Sequence, residues 1–267
     1  MLALAANGCA EIGGNQRRSD SGTDRATITS SNVHAHSGTD AAKLGHGGAR
    51  NRADRVSYHL AEQQVRAIFA AVTNASAIGL PLNRHWTVHW DRAGVTDDKA
   101  GAATGALLAL VRDWLRKQGH RFACVWVREN DEGDASKGSH VHILLHLPTS
   151  VKWCGWRNRR WLERVSGRLY APLTSQTRVV GRSRSAAKAS PASYHANLWT
   201  MAGYVSKSAP ASVLKALEIG RRPESGGIIG KRWGRSLALS SNGREGLLMW
   251  EGALRTTGMR GSTILLA

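Results

Sequence analysis

The stretch Gly138-Ser-His-Val-His-Ile-Leu-Leu-His-Leu-Pro148 alternates polar and apolar residues and stops at a proline. Successive side chains of a β-strand point to opposite faces, so this alternation predicts a strand over residues 140–147. His140 and His142 then share one face, about 7 Å apart along the backbone. The other face carries apolar side chains that are expected to enter a core, namely Val141, Ile143, Leu145 and Leu147.

The segments before this strand predict the rest of a sheet. Residues 85–90 and 122–127 are rich in aromatic and β-branched residues, which is typical of strands. The second of them and the 140–147 strand are joined by a short polar loop, which favours a β-hairpin. Between residues 90 and 122, apolar side chains recur at helical spacing up to about Gly119. The order strand, helix, strand, strand predicts an α+β fold with a central antiparallel sheet and flanking helices.

The ends of the chain differ in composition from its middle. Residues 1–52 are rich in Gly, Ala, Ser, Asp and Asn without a hydrophobic period, and we predict a disordered N-terminal extension. Residues 53–240 are predicted to form one folded domain. The tail over residues 241–267 has too weak a periodicity for an assignment of structure.

Further helices are predicted on both sides of the strand segments. Apolar residues recur at helical spacing over residues 55–75, and residues 194–208 read as a helix stopped by Pro210. Residues 153–168 are predicted to be partly helical. Residues 174–190 are read as a basic loop, and residues 226–235 as a glycine-rich basic turn.

The charge of the chain indicates a polyanionic partner. The 267 residues carry a formal net charge of +18, and nucleic acid is the usual partner of so basic a surface. No run approaches the ~18 apolar residues of a membrane span, so no membrane association is expected. Three widely spaced cysteines, Cys9, Cys124 and Cys154, suggest a reducing cytoplasm. The N-terminus lacks the basic region of an export signal.

The two histidines of the decisive strand could form half of a divalent-metal site. Glu129 ends the preceding strand, and the hairpin can bring its carboxylate beside them. A carboxylate with two imidazoles suits Mg²⁺ or Mn²⁺ better than a closed zinc site. Two solvated histidines that bind no metal would give the same sequence pattern. Glu132 and His146 are alternative candidates for a ligand beside the pair.

A tyrosine and a lysine on one predicted helix could supply a nucleophile. Tyr204 and Lys207 are three residues apart and therefore share a helix face. A tyrosine hydroxyl has a pKa of about 10, and a nearby ammonium and a metal-bound phosphate would favour its phenolate. A structural tyrosine beside a solvated lysine has the same spacing.

Basic residues interleaved with tryptophan predict contacts to single-stranded DNA. Arginines would contact phosphates while tryptophans stack on bases; a solvated helix face is the alternative. The residues assigned to this surface are Trp153, Trp156, Arg157, Arg159 and Arg160, with Lys231 and Arg232 on the glycine-rich turn.

Four motifs in this order resemble the HUH endonuclease superfamily, in particular single-tyrosine rolling-circle replication initiators of bacterial plasmids and phages. They are Trp86-Thr87-Val88-His89-Trp90, Arg128-Glu129, His140-Val141-His142 and Tyr204-Val-Ser-Lys207. The resemblance covers roughly residues 80–210 and implies a split βαβ, ferredoxin-like fold. It also implies sequence-specific nicking of single-stranded or hairpin DNA, leaving a 5′-phosphotyrosine and a free 3′-hydroxyl.

The resemblance assigns a role to each motif. His140 and His142 would hold a divalent metal with Glu129 as the third ligand, and Tyr204 would be the nucleophile, assisted by Lys207. The other two motifs would contact DNA through Trp86, Thr87, His89 and Arg128. The first of these motifs lacks the Thr-Leu-Thr character usual in the family, and the stretch between the histidines and the tyrosine is long.

The sequence also limits the partners and leaves alternatives. No Walker-type GxxxxGK[ST] motif is present, so a host helicase and a host polymerase are expected partners, and no small-molecule cofactor is expected. A single-tyrosine transposase of an insertion sequence would share the same motifs. A non-catalytic DNA-binding protein, or a zinc-binding structural domain that adds Cys154 or His146 to the histidine pair, remains open.

Overall fold

The computed structural model describes residues 54–131, 138–220 and 226–240. The predicted N-terminal extension, Glu132 and the tail over residues 241–267 lie outside the described residues. Within the part of the chain that is described, no helix is long and apolar enough to cross a bilayer.

A five-stranded sheet forms the centre of the fold, and each pair of neighbouring strands is antiparallel. A separate two-stranded ladder pairs β1 (Val56–Ser57) with β6 (Ile228–Ile229). The central sheet has the order β5-β2-β4-β3-β7, with β2 at Arg84–His89, β3 at Cys124–Asp131, β4 at Gly138–Leu145, β5 at Ser175–Val179 and β7 at Trp233–Arg235.

Helices connect and cover these strands. They are α1 (Glu62–Ala77), α2 (Asp97–Lys117), α3 (Gly155–Ser166), α4 (Ala186–Ala189), α5 (Pro191–Val205) and α6 (Ala211–Ala216), followed by a 3₁₀ turn at Leu237–Leu239. Helix α2 connects β2 to β3, and β4 lies between those two strands. The predicted α+β fold with an antiparallel sheet and flanking helices is thereby confirmed.

The alternation of β4 places two different cores on the two faces of the sheet. Val141 and Ile143 face a core shared with α2 and α3, together with Trp86 and Trp126. Leu144 faces the opposite core, which is shared with α1 and α5. His140 and His142 therefore lie on the face opposite Val141 and Ile143, as the alternation predicts, and α1 and α5 cover that face.

Several boundaries and two elements differ from the sequence-based expectations. Strand β5 lies where a basic loop was predicted. The sequence did not indicate a strand there because Ser-Gln-Thr-Arg-Val has no apolar alternation, which is compatible with its position at an edge of the sheet. The predicted glycine-rich turn contains β6 and β7. Helix α1 begins only at Glu62, since Val56 and Ser57 pair with β6 instead.

Candidate metal centre

A carboxylate and two imidazoles converge where the β3–β4 hairpin meets α5. Glu129 lies directly opposite His140 in the ladder, and His142 follows on the same face two residues further along β4. Their candidate ligand atoms all lie within 4.8 Å of one another, and the Glu129 side chain is fully buried. Alternation along two paired strands is therefore enough to assemble the three groups.

The groups of this cluster lie close together, and two of their buried atoms lack hydrogen-bond partners. Glu129 Oε2 is 3.3 Å from His140 Nε2 and 3.2 Å from His142 Nε2. Neither Glu129 Oε1 nor His142 Nε2 has a hydrogen-bond partner among the described residues, although both are buried. Because buried polar atoms without partners are costly, these atoms fit the coordination of a bound ion.

The hydrogen bond of His140 Nδ1 determines the protonation of its Nε2 in the neutral ring. His140 Nδ1 lies 2.9 Å from the carbonyl oxygen of Gly138, and a carbonyl can only accept a hydrogen bond, so Nδ1 carries a proton. In the neutral ring, Nε2 then presents its lone pair to the carboxylate of Glu129. Two acceptors that face each other across 3.3 Å repel unless a proton or a metal cation lies with them.

His142 is oriented from β2. Its Nδ1 lies 3.0 Å from Thr87 Oγ1 and 3.2 Å from His85 Nε2. Thr87 pairs with His142 in the β2–β4 ladder, and His89 pairs with His140, with ring centroids 5.3 Å apart. These contacts direct Nε2 of His142 toward Glu129, as the partners of metal-binding histidines commonly do.

Sequence reasoning missed His85 and gave Thr87 a different role. The signal was present, since His85, Thr87 and His89 alternate with Trp86, Val88 and Trp90 along one strand. The same alternation that was applied to β4 would have placed these three polar residues on a shared face.

Electrostatics at Glu129 and His142 favour the protonation states in which these two groups could bind a metal ion. Burial alone would raise the pKa of the Glu129 carboxyl, but His142, His140 and Lys207 together hold that pKa below its usual range. Burial lowers the pKa of His142, against the opposing effect of Glu129. Burial, with His142 and Arg178, lowers the pKa of His85 to about 3. An ionised Glu129 carboxylate and a neutral His142 imidazole are the forms in which these two groups coordinate metals.

Tyr204 and Lys207 reach the same centre from the end of α5. The Tyr204 ring centroid is 5.1 Å from that of His142 and 6.0 Å from that of His85. Lys207 Nζ lies 2.8 Å from Glu129 Oε2 and 5.0 Å from the centroid of the Tyr204 ring. The structure thus brings together all five residues predicted for catalysis and metal binding, and it adds an ion pair between Lys207 and Glu129 that the sequence did not indicate.

Three residues predicted to contact DNA are buried, and that expectation is wrong for them. Trp86 packs in the core and donates a hydrogen bond to Ser175 Oγ. Arg128 forms an ion pair with Asp97. Arg232 donates to the carbonyl oxygens of Ser57 and Gly226. These side chains have no surface to offer to DNA.

Thr87 and His89, also predicted to contact DNA, are nearly buried and lie on the same face of the sheet as the cluster of Glu129, His140 and His142. In the structure Thr87 contacts His142, and His89 lies against the ring of His140. Their position makes them part of the surroundings of the centre.

The other predicted DNA contacts lie at or near the surface. The Trp156 side chain is 51% exposed, and the Arg157 guanidinium lies 5.0 Å from its ring centroid. Arg159, Arg160 and Lys231 are exposed. Trp153 is half-buried, with its ring in edge contact with those of neighbouring tryptophans. Helix α3 therefore presents a basic surface with one accessible indole.

The alternative ligands Cys154 and His146 do not join the histidine pair. Among the described residues, the group of Glu129, His140 and His142 is the one set of three or more such side chains that could hold a metal ion. His146 Nδ1 lies 2.9 Å from the carbonyl oxygen of Pro81 instead. A zinc site built from the pair with either residue is not present in this part of the chain.

Comparison of the chain with protein-family models, with curated proteins and with solved structures finds no match. Its chemistry is therefore inferred from the centre itself. Glu129, His140 and His142 could hold a metal ion, and the Tyr204 ring lies against that of His142. Such a combination can activate a phosphate ester and attack it with an oxygen nucleophile.

Proposed function

We propose that this protein is a metal-dependent DNA endonuclease and strand transferase that nicks one strand through Tyr204. The observation that carries the proposal is the position of the Tyr204 ring, 5.1 Å from that of His142 in a buried cluster of one carboxylate and two histidines. A purely structural tyrosine does not explain the buried Glu129 and His142 atoms that have no hydrogen-bond partners.

The proposed reaction is a transesterification. The Tyr204 oxygen loses its proton to solvent and attacks phosphorus, the bond from phosphorus to the 3′ oxygen breaks, and the leaving 3′ oxygen takes up a proton. The bond from phosphorus to the 3′ oxygen is replaced by a bond to the Tyr204 oxygen, which gives a 5′-phosphotyrosine. Because one phosphodiester replaces another, no external energy source is needed. A 3′-hydroxyl can later reverse the step and rejoin the strand.

Each residue of the centre has a place in this reaction. A divalent cation, Mg²⁺ or Mn²⁺, held by Glu129, His140 and His142 would supply Lewis-acid polarisation of the scissile phosphate. The Lys207 ammonium, 5.0 Å from the centroid of the Tyr204 ring, stabilises negative charge on the phenolate. Thr87 and His85 hold the His142 ring in its orientation.

The charge of the protein supports DNA as the substrate. A net charge of +18 and the basic surface of α3 favour binding to phosphates, and the exposed Trp156 can stack on an unpaired base. With the resemblance to rolling-circle initiators, these features support a role in starting replication of a plasmid or phage. The free 3′-hydroxyl would then prime a host polymerase while a host helicase unwinds the duplex.

Detection of a covalent intermediate tests the proposal. The protein is incubated with Mn²⁺ and a 3′-labelled pool of hairpin-bearing single-stranded oligonucleotides, and adducts are resolved on a denaturing gel. The 3′ label is required because the 5′-phosphotyrosine retains the downstream fragment. We expect an adduct with the wild type and none with Tyr204→Phe.

Tyr58→Phe is the matched control, because it removes the same hydroxyl from an exposed tyrosine outside the centre. It should form the adduct as the wild type does. An adduct that persists in Tyr204→Phe, or a wild type that forms none with the whole pool, would overturn the proposal.

A further inference from the structure

A cavity of about 380 Å³ lies on the face of the sheet opposite the metal centre. Arg84, Ser175 and Thr177 line it from β2 and β5, on the same face as Trp86, while Asn158 and Arg159 line it from α3. Its volume falls in the range of small-molecule sites, roughly 300–1,000 Å³. No residue of the metal centre lines this cavity.

Polar side chains line the cavity, and one of them carries a buried atom without a hydrogen-bond partner. Asn158 is 8% exposed, and its Oδ1 is buried without a hydrogen-bond partner among the described residues. Its Nδ2 donates to Ser175 Oγ at 2.8 Å, and the Trp86 indole donates to the same oxygen at 2.7 Å. Because the Ser175 oxygen already accepts two hydrogen bonds, its own O–H is left to donate.

A second unpartnered donor comes from β2. The Nε of Arg84 is buried and has no hydrogen-bond partner among the described residues. The residues that line the cavity therefore carry both donors and acceptors, on Asn158, Ser175 and Arg84. A mixed set of donors and acceptors matches the edge of a nucleobase better than a bare anion, which needs donors alone.

Two aromatic side chains and an arginine complete the wall. Trp153 is held by edge contacts with the rings of Trp86 and Trp114, at centroid distances of 5.2 and 5.9 Å, so little conformational entropy is lost when a base packs on it. Tyr170 also lines the cavity, and the Arg159 guanidinium lies 5.1 Å from the centroid of its ring. Aromatic faces bind bases by stacking, and a guanidinium pairs with phosphate.

We propose that this cavity binds one unpaired nucleotide of a single-stranded DNA, with the base at Trp153 and Tyr170 and the phosphate at Arg159. The inference rests on the proposed function, since it takes the same DNA strand as the ligand. It goes beyond that function by assigning a second binding site, outside the metal centre, that selects an unpaired nucleotide near the nick.

The edge strand β5 connects the two sites. Ser175 and Thr177 line the cavity, whereas the alternating Gln176 and Arg178 are exposed on the metal face, where they pair with Thr87 and His85 in the ladder. A single strand that crosses the edge of the sheet at β5 therefore passes from the metal centre to the cavity. Duplex DNA is too thick and too stiff to make this turn.

Binding measurements without chemistry test the inference. The full-length protein carries Tyr204→Phe, the buffer contains EDTA, and the probe is fluorescein-labelled dT20, followed by fluorescence anisotropy. We expect Arg159→Ala to weaken binding by about tenfold, the usual effect of losing a charged hydrogen bond. Arg164→Ala removes the same charge from an exposed position on the same helix and should have a much smaller effect.

An abasic probe tests the base contact independently of charge. A 20-nucleotide strand that is abasic at every position keeps the phosphates of dT20, and it should bind the parent protein at least about tenfold more weakly than dT20 does. The loss should be smaller in Tyr170→Ala, because one of the two stacking partners is already absent. Equal losses for Arg159→Ala and Arg164→Ala, or additive losses for the abasic probe and Tyr170→Ala, would overturn the inference.

The outcomes separate this inference from the nicking activity. Covalent adducts together with equal effects of Arg159→Ala and Arg164→Ala reject the cavity alone. A selective loss in Arg159→Ala without any adduct rejects the nuclease and retains the cavity as a site for single-stranded DNA. Tighter binding of a 20-base-pair duplex than of dT20 rejects the inference, because only an unpaired base fits the cavity.

Discussion

Glu129 lies directly opposite His140 in the β3–β4 ladder, with its Oε2 3.3 Å from His140 Nε2. The pairing is a consequence of hairpin register, since a shift of one residue would turn the carboxylate to the other face of the sheet. The same oxygen also lies 2.8 Å from Lys207 Nζ. The carboxylate is therefore the group through which the hairpin and the end of α5 meet.

Replacement of Glu129 by Gln should abolish metal binding. The substitution keeps the shape of the side chain but removes the negative charge, leaving two neutral imidazoles. Even residues that only orient a metal ligand change affinity by about 10–100-fold, so the loss of a ligand should exceed about 100-fold. Calorimetric titration with Mn²⁺ measures the change, with Asp113→Asn, at an exposed carboxylate, as the control. Unchanged affinity in Glu129→Gln would remove this residue from the site.

Replacement of Thr87 by Val should weaken metal binding without removing it. Thr87 Oγ1 lies 3.0 Å from His142 Nδ1, and valine has nearly the same shape without the hydroxyl. We expect Mn²⁺ affinity to fall by about tenfold because the His142 ring loses a partner that orients it. Thr73→Val is a matched control, since that hydroxyl bonds to the Phe69 carbonyl on α1, away from the centre. Equal affinities of the two variants would contradict this role of Thr87.

The cluster of Glu129, His140 and His142 was predictable because it depends on local alternation. His140 and His142 share a face by strand geometry alone, and Glu129 follows from the hairpin that joins two adjacent strands. Such features need only neighbouring segments of sequence. For the same reason the antiparallel sheet and the helix between β2 and β3 were correctly predicted.

Other features could not be predicted because they depend on contacts between distant segments. Arg128 was expected at the DNA surface, but it is buried by Asp97 from α2 and by the carbonyl oxygen of Ile229, about one hundred residues away. Strand β5 forms on the edge of the sheet with no apolar pattern of its own. The Lys207–Glu129 ion pair requires the packing of α5 on the sheet, which no spacing in the sequence specifies.

Replacement of Asp97 by Asn should destabilise the fold severely. Asp97 Oδ1 is 2.5 Å from Arg128 Nη2 and 2.7 Å from Ser139 Oγ, and its Oδ2 accepts from the Ile229 amide. The substitution leaves the fully buried Arg128 charge without a counter-ion, which typically costs about 3–5 kcal/mol.

Urea unfolding measures this loss in the free energy of unfolding. Asp113→Asn at the surface is the control and should change stability by less than about 0.5 kcal/mol. A loss of less than about 1 kcal/mol in Asp97→Asn would show that the Arg128 charge is compensated by its carbonyl partners alone.

The buried His146 should make the protein less stable in mild acid. Burial lowers its pKa below the usual value, aided by His120 and Arg121 and opposed by its hydrogen bond with the Pro81 carbonyl. An unfolded histidine has a pKa of about 6.5, so below that pH the unfolded chain takes up a proton that the folded chain does not. Above pH 6.5 the lowered pKa of His146 therefore costs no stability. As the pH falls from 6.5 toward the folded pKa, the free energy of unfolding decreases by at most about 1.4 kcal/mol per pH unit.

His146→Gln removes this titration while keeping a polar side chain that can donate to the Pro81 carbonyl. Urea unfolding of wild type and variant at pH 7.5 and at pH 5.5 gives two losses of stability to compare. We expect the smaller loss in the variant, because one proton-binding group of the unfolded chain is gone and the other histidines contribute equally to both proteins. Equal losses in the two proteins would mean that His146 binds its proton as readily in the folded chain as in the unfolded one.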